Sequence, residues 1–205
     1  QDRDTNIRGW EDKSGHACDA KAVAANTRPQ WVRNLLGNQP VVRFTGSQWL
    51  EIPKKSSFLQ LGLDYTILFV ARGYRGSLLS KGTGETDTSF ALVHGVACCR
   101  AAGQDLDACD NDPGQFQVRS ILVNKQSLRW YIDGALCGNY VNRKHAIEDR
   151  SRRRIGCYLR RRQGPESLFE GDLAELIIYN RCLAEDERKS VEKYLRGKWL
   201  IQPAG

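Results

Sequence analysis

The sequence contains no methionine, no long apolar run and no closely spaced metal-binding pair. Its longest unbroken apolar stretch, 67–71, is far shorter than the roughly 20 residues that a transmembrane helix requires, so we expect no membrane span. No Cys-x-x-Cys pair occurs and the three histidines are scattered, which argues against zinc. Without a methionine or a basic, apolar leader, the chain is expected to be a processed product or part of a longer protein.

What is present is typical of one globular domain. The chain has 205 residues, which suits a single domain over 1–205. Its net charge of +7 favours anionic partners such as acidic glycans or an acidic protein surface. Nucleic acid is not expected, because the basic stretches lack the interleaved aromatic residues of a single-strand platform.

Seven cysteines are an odd number, so at least one is free or paired outside the chain. Cys98, Cys99 and Cys109 bracket a loop rich in Gly and Asp, and we expect one disulfide to close that loop. The remaining four are interpreted as core thiols, because a buried thiol packs as a small apolar side chain. These are Cys18, Cys137, Cys157 and Cys182.

Strand-like runs recur at short spacing between Gly, Asn, Asp and Pro residues. The runs are 41–45, 49–53, 65–72, 77–80, 89–94, 116–124, 127–133, 152–160 and 168–179. This spacing predicts an all-β domain of antiparallel strands, with long loops at 100–115 and 139–151. The run 65–71 is apolar at every position except one, as expected for a strand buried on both faces.

One helix is predicted, over 184–196. The apolar residues Val191, Tyr194, Leu195 and Trp199 follow helical spacing, and three acidic residues lie in the first turn, where they suit the helix dipole. Gly197 is the predicted residue that ends the helix. We expect this helix to dock on the sheets.

The order of several motifs resembles the LamG-like branch of the concanavalin A-like lectin/glucanase superfamily. The motifs are Trp10-Glu-Asp12-Lys-Ser14-Gly15, Pro40-Val-Val-Arg-Phe44-Thr-Gly46, Trp130-Tyr131-Ile-Asp133-Gly134 and Phe169-Glu-Gly171-Asp172-Leu-Ala174-Glu175. The resemblance implies a two-sheet antiparallel jelly-roll sandwich with a C-terminal docking helix, in a larger extracytoplasmic bacterial protein. Such domains usually begin with an apolar strand before the first motif, and here that strand is expected to be truncated or supplied from elsewhere.

Three carboxylates give a candidate catalytic set. Glu170, Asp172 and Glu175 match the Glu-x-Asp-x-x-Glu spacing of related glycoside hydrolases. Strand alternation places Glu170 and Asp172 on one face, and a bulge is needed to bring Glu175 to it. In the non-catalytic LamG-like domains that this chain resembles, the same stretch is ordinary. We therefore expect no enzyme, with a hydrolase using Glu170 and Glu175 as the alternative.

The resemblance also implies a structural Ca²⁺ ion. Asp172 matches the last-strand position that binds Ca²⁺ in some superfamily members, and Asp12 lies in the matching N-terminal loop. Ca²⁺ takes six to eight oxygens, so backbone carbonyls and water would complete the site. The alternative is that Asp172 only bonds loop backbone.

A basic strand gives the candidate ligand-binding residues. Alternation along 152–160 sends Arg154, Tyr158 and Arg160 to the face opposite the core. An aromatic ring between two guanidiniums suits an acidic glycan, because arginine forks bind carboxylate or sulfate. The alternative is a solvated, charged sheet edge.

Together these observations predict a recognition module for carbohydrate, with acidic glycans favoured, or for a protein surface. The two competing functions are the glycoside hydrolase and a structural assembly domain whose first strand comes from a partner.

Overall fold

The computed structural model describes residues 6–52, 64–81, 90–93, 114–141, 153–160 and 164–201. Within them fifteen strands precede one α-helix, α1 (Glu185–Trp199), and a short 3₁₀ turn lies at Ala25–Thr27. In chain order, the strands are β1 (Gly9–Trp10), β2 (Ala20–Lys21), β3 (Gln30–Leu36), β4 (Gln39–Thr45), β5 (Leu50–Ile52), β6 (Tyr65–Arg75), β7 (Ser77–Lys81), β8 (Phe90–Val93), β9 (Gln117–Val123), β10 (Ser127–Ile132), β11 (Ala135–Val141), β12 (Arg153–Ile155), β13 (Tyr158–Arg160), β14 (Gly164–Glu166) and β15 (Glu170–Tyr179).

The strands form two main antiparallel sheets. The seven-stranded sheet has the order β11-β10-β9-β6-β15-β4-β3, and the six-stranded sheet has the order β1-β2-β5-β12-β7-β8. β13 and β14 form a separate hairpin. The predicted two-sheet sandwich with a C-terminal helix is therefore confirmed.

Alternating side chains of the seven-stranded sheet supply two cores. One face packs against the six-stranded sheet, through residues such as Phe44, Phe69 and Leu173. The other face packs against α1, through residues such as Val70 and Ala174. Strand β6 lies between β9 and β15 and is buried on both faces, as its continuous apolar run predicts.

Helix α1 is confirmed, and most of its predicted apolar face is buried. Leu195 and Trp199 are buried and Val191 is partly buried, whereas Tyr194 is 54% exposed. The buried face also includes Arg188 and Glu192, which pair with each other and were not predicted. The helix also continues through Gly197, and Leu200 adopts the left-handed conformation that ends it (φ 52°).

The charged pair beneath α1 is held by several polar contacts, although Arg188 Nε donates and Glu192 Oε2 accepts no hydrogen bond among the described residues. Glu192 Oε1 accepts from Arg188 Nη1 at 2.6 Å and from Ser120 Oγ of β9 at 2.7 Å. The Arg188 guanidinium lies 3.7 Å from the ring centroid of Tyr131 in β10. A buried pair persists only when such contacts offset its desolvation, so the network specifies where α1 sits on the sheet.

Several predicted boundaries change in the structure. The run 152–160 is broken by Gly156, whose φ of +94° turns the chain between β12 and β13. The predicted loop 139–151 overlaps the end of β11, and β3 was not predicted at all. Among the cysteines in the described ranges, Cys157 and Cys182 are free thiols, and Cys157 is fully buried. The predicted disulfide among Cys98, Cys99 and Cys109 lies outside the described residues. No helix in the described ranges could cross a membrane.

Candidate functional site

The outer face of the seven-stranded sheet, which packs against α1, carries a row of polar side chains just beyond the residues that the helix covers. Strand register places Asp172 of β15 directly opposite Arg43 of β4 and, on its other side, opposite Arg72 of β6. Because side chains on one face repeat every second residue, each row member lies two positions from a residue packed under α1. Those residues are Val41, Val70 and Ala174.

Asp172 holds both guanidiniums. Its Oδ1 accepts from Arg43 Nε at 2.7 Å, and its Oδ2 accepts from Arg43 Nη2 at 3.0 Å and from Arg72 Nε at 2.9 Å. The Asp172 side chain is only 5% exposed, whereas those of Arg43 and Arg72 are 35% and 29% exposed. The hydrogen bond that Arg43 donates to Asp172, together with the charge of that carboxylate, raises the pKa of Arg43 above its usual value.

Around this row the surface forms a shallow cleft of about 260 Å³. Its walls also include Phe44, Thr45, Glu170 and Gly171. Nη1 of Arg43 and both Nη atoms of Arg72 take no part in the bonds to Asp172. The cleft therefore offers charge-bearing N–H donors whose guanidinium planes are already fixed.

The backbone floor of the cleft admits no side chain at Gly171. A Cβ there would collide with the Arg72 carbonyl oxygen and would come within 2.6 Å of Gly73 Cα. Gly171 is therefore required for β15 to lie against β6, which accounts for a glycine where the hydrolase pattern has an apolar residue.

The three carboxylates of the candidate catalytic set are not brought into one site. Glu170 and Asp172 line the cleft, and a bulge between Leu173 and Glu175 does bring Glu175 to the outer face. There, however, Glu175 accepts from Lys198 Nζ at 2.9 Å and from Trp199 Nε1 at 2.6 Å, both on α1. Glu175 thus fastens the helix to the sheet.

The two carboxylates predicted to bind Ca²⁺ lie in different places. Asp12 lines a second pocket beside the N-terminal loop, where it accepts from the backbone N–H of Ser14 at 2.8 Å and of Cys18 at 3.0 Å. A side-chain hydrogen bond from Ser14, together with these backbone bonds, lowers the pKa of Asp12 to about 2.

Asp172, in contrast, directs its oxygens at two guanidiniums, an arrangement that disfavours a cation ligand. In the described ranges no group of three or more His, Cys, Asp or Glu side chains could hold a metal. The calcium ion itself stays a prediction.

The predicted basic face is divided between two sheets. Arg154 lies in the interior of the six-stranded sheet, where its side chain is 4% exposed and its Nε donates to Glu51 Oε1 at 3.1 Å. Tyr158 and Arg160 belong to the β13–β14 hairpin. The expected exposure of Arg154 is wrong, because this side chain is buried and pairs with Glu51. Ligand binding by Tyr158 and Arg160 stays a prediction.

The second pocket, of about 400 Å³, lies along β15. It is lined by Trp10, the following loop and the stretch 174–178. In the described part of the chain, β4 pairs with β15 only through Glu170–Leu173, so beyond that point one side of β15 carries no paired strand. The pocket therefore borders an open strand edge.

The residues of the arginine cleft were visible in the sequence but not interpreted. Arg43 and Arg72 each follow an apolar run, in Pro40-Val-Val-Arg43 and Leu68-Phe-Val-Ala-Arg72. A charged side chain on a largely buried face needs a partner of opposite charge, and Asp172 has that charge. Arg43, Arg72 and Asp172 become neighbours only through the pairing register of their strands, which the sequence does not give.

Several solved structures share this fold. Domain 4 of AbnA, a GH43 extracellular arabinanase from Geobacillus stearothermophilus, solved with arabinotriose, has a TM-score of 0.58 at 11% identity, over 80% of this chain and 81% of that one. The CBM40 of Ruminococcus gnavus IT-sialidase, bound to α2,3-sialyllactose, has a TM-score of 0.58 at 14% identity, over 74% and 96%.

A Trypanosoma rangeli sialidase in complex with sialic acid gives a TM-score of 0.63 at 19% identity, over 95% of this chain but only 32% of the sialidase. This chain thus spans about a third of that protein. No family model and no curated protein matches the sequence. At these identities the likeness shows the fold alone, a two-sheet β-sandwich of the jelly-roll type.

Proposed function

We propose that this chain is a non-catalytic carbohydrate-recognition module, of the LamG-like type that its motifs resemble, within a larger extracytoplasmic protein. Acidic glycans are its favoured ligands. The observation that carries the proposal is the cleft on the outer sheet face, where Arg43 and Arg72 are held half-exposed by the buried Asp172. Fixed guanidinium forks bind carboxylates and sulfates without a large ordering cost.

The structural comparisons support the proposal at a coarse level. Two of the similar folds were solved with arabinotriose and sialyllactose bound, so a sandwich of this shape can serve sugar recognition. One belongs to an extracellular arabinanase, in agreement with an extracytoplasmic location. The net charge of +7 adds attraction for acidic chains.

A glycan array tests the proposal. The chain should bind acidic oligosaccharides above their neutral parents, and binding should weaken between about 50 mM and about 500 mM salt, because exposed charge contacts are screened. The same glycans, incubated with the chain and analysed by mass spectrometry, should remain intact. Absence of binding to every glycan would refute the recognition module.

The competing hydrolase has a concrete signature. If Glu170 and Glu175 were its carboxylate pair, Glu170→Gln and Glu175→Gln would each abolish cleavage of a polysaccharide that the wild type degrades. The bonds from Glu175 to α1 argue against this role.

One observation favours a second candidate, the structural assembly domain. The open edge of β15 beside the second pocket could accept an extended segment from a partner, since unpaired strand edges bind further strands. Light scattering of the chain alone and of a version extended at its N-terminus tests this candidate. A partner-completed domain associates when alone and becomes monomeric when extended.

A further inference from the structure

We propose that the cleft formed by Arg43, Arg72, Asp172 and Glu170 binds one carboxylate-bearing sugar residue, such as a hexuronate or a sialic acid. Arg43 Nη1 and the two Nη atoms of Arg72, which take no part in the bonds to Asp172, hold the sugar carboxylate. This inference rests on the proposed carbohydrate recognition and assigns its site and ligand class.

The arginines are set in place before a ligand arrives. Asp172 is fixed at the centre of three strands, and it accepts both Nε and Nη2 of Arg43 and Nε of Arg72. Asp172 therefore fixes the orientation of each guanidinium through its Nε atom. The Nη atoms that do not bond to Asp172 are the donors available to a ligand. An arginine held in this way loses little side-chain entropy when it binds an anion. Asp172 is a positioning residue.

Phe116 fixes the second guanidinium from another side. The Arg72 Cζ lies 4.8 Å from the centroid of the Phe116 ring, which itself packs partly buried against the cluster under α1. A cation–π contact of this kind holds the guanidinium plane against the ring and leaves its edge for hydrogen bonds. Arg72 is thus restrained by Asp172 at Nε and by Phe116 at its face.

The location leaves the cleft open to solvent. Helix α1 covers Val41, Val70 and Ala174, and the row of Arg43, Asp172 and Arg72 begins one side-chain repeat further along the same strands. A ligand can therefore reach the arginines across the sheet face without displacement of the helix.

The shape of the donors favours a carboxylate. Each guanidinium is a planar fork, and such a fork forms two parallel hydrogen bonds with a planar carboxylate. A volume of about 260 Å³, below the range usual for drug-sized ligands, suits a single ring.

The test uses variants that keep the fold. Arg43→Lys and Arg72→Lys retain a positive charge beside Asp172 but lose the planar fork with its outward Nη groups. Arg181→Lys is the matched control, because Arg181 follows the far end of β15 and pairs with Glu187 at the surface. Thermal melting confirms that each variant is folded.

The probes are α2,3-sialyllactose, trigalacturonate, carboxyl-reduced trigalacturonate and a sulfated oligosaccharide, each titrated by calorimetry. Each arginine variant should bind the carboxylated sugars about tenfold to a hundredfold more weakly than the wild type, the loss expected for a charge-assisted contact. Arg181→Lys should bind as the wild type does. Carboxyl reduction should weaken binding to the wild type by a similar factor.

The outcomes separate the site from the function. If the wild type binds carboxylated sugars and both arginine variants bind them equally well, the site is wrong and carbohydrate recognition stands. Equal binding of the carboxyl-reduced sugar, or a preference for the sulfated one, overturns the ligand class. If the wild type binds no glycan, the proposed function fails and this inference fails with it.

Discussion

Removing the charge of Asp172 should destabilise the protein measurably, because this carboxylate is the centre of the arginine cleft. In Asp172→Asn one oxygen remains as an acceptor, and the other is replaced by an amide group that faces guanidinium donors. Of three charge-assisted hydrogen bonds, at 2.7, 2.9 and 3.0 Å, at most two remain, because Oδ2 accepts two and Oδ1 accepts one, and those that remain lose the negative charge of the acceptor. Such bonds contribute about 1.5–3 kcal/mol each.

The exposure of the arginines limits that loss. Their side chains are about one-third exposed, so water takes over part of the solvation of each guanidinium. We therefore expect the free energy of unfolding to fall by about 2–4 kcal/mol, which corresponds to a fall in Tm of roughly 4–16 °C for a chain of this size.

Urea denaturation at neutral pH, followed by circular dichroism, measures the change. The control is Asp64→Asn, since Asp64 accepts one backbone N–H from Lys125 at an exposed position, and we expect it to cost less than about 1 kcal/mol. A loss below about 0.5 kcal/mol in Asp172→Asn, with an unchanged denaturant slope, would show that the carboxylate does not hold the cleft together.

Three further predictions concern other positions. Gly171→Ala should lower the free energy of unfolding by about 2–3 kcal/mol in urea denaturation, because the added methyl collides with backbone of β6; a neutral effect would contradict the register. The pKa of Asp12 is about 2 in the folded state and 3.8 for the free group. The ionised carboxylate therefore contributes stability at neutral pH, and this contribution is lost as pH falls from about 4 to about 2. In acid titration, the free energy of unfolding of Asp12→Asn should fall less steeply in that window than that of the wild type. Burial raises the pKa of Cys157 from 9.0 to about 12. Iodoacetamide at pH 8 should therefore leave Cys157 unmodified in the native protein, and the free energy of unfolding should fall as pH rises from about 9 to about 12. Rapid alkylation of the native protein, detected by peptide mapping, would contradict the burial.

Much of the sandwich could be predicted from the sequence. The run 65–71 and the runs at 116–124 and 127–133 became the strands β6, β9 and β10, because their side chains alternate or are apolar throughout. Strand β3 was missed, since Gln30-Trp-Val-Arg-Asn-Leu-Leu36 lies at the edge of the sheet and needs little apolar patterning. The face of α1 was predicted in part, since Leu195 and Trp199 are buried as expected, but apolar spacing gave no sign of the buried pair of Arg188 and Glu192.

The candidate site was harder to predict because it depends on register. Arg43, Arg72 and Asp172 are separated by 29 and 100 positions in the chain, and a shift of one residue in either strand pair would send an arginine to the opposite face. Arg154 shows the converse error. Continuous alternation through 152–160 required a regular strand, and the left-handed turn at Gly156 is a local event that side-chain patterning does not register.

The stretch that most resembled a catalytic motif has a structural explanation at each position. In Glu170-Gly-Asp172-Leu-Ala-Glu175 the glycine permits backbone contact with β6, the aspartate binds two arginines, and the bulge turns Glu175 toward Lys198 and Trp199. Asp172 and Glu175 therefore have different structural roles on one sheet face. Asp172 orients the two arginines of the cleft, and Glu175 binds the helix beside it. A retaining hydrolase needs its two carboxyl groups about 5–5.5 Å apart and facing one substrate. Here Glu175 is engaged by the helix and lines a different pocket from Glu170, so Glu170 and Glu175 do not face one substrate in this arrangement.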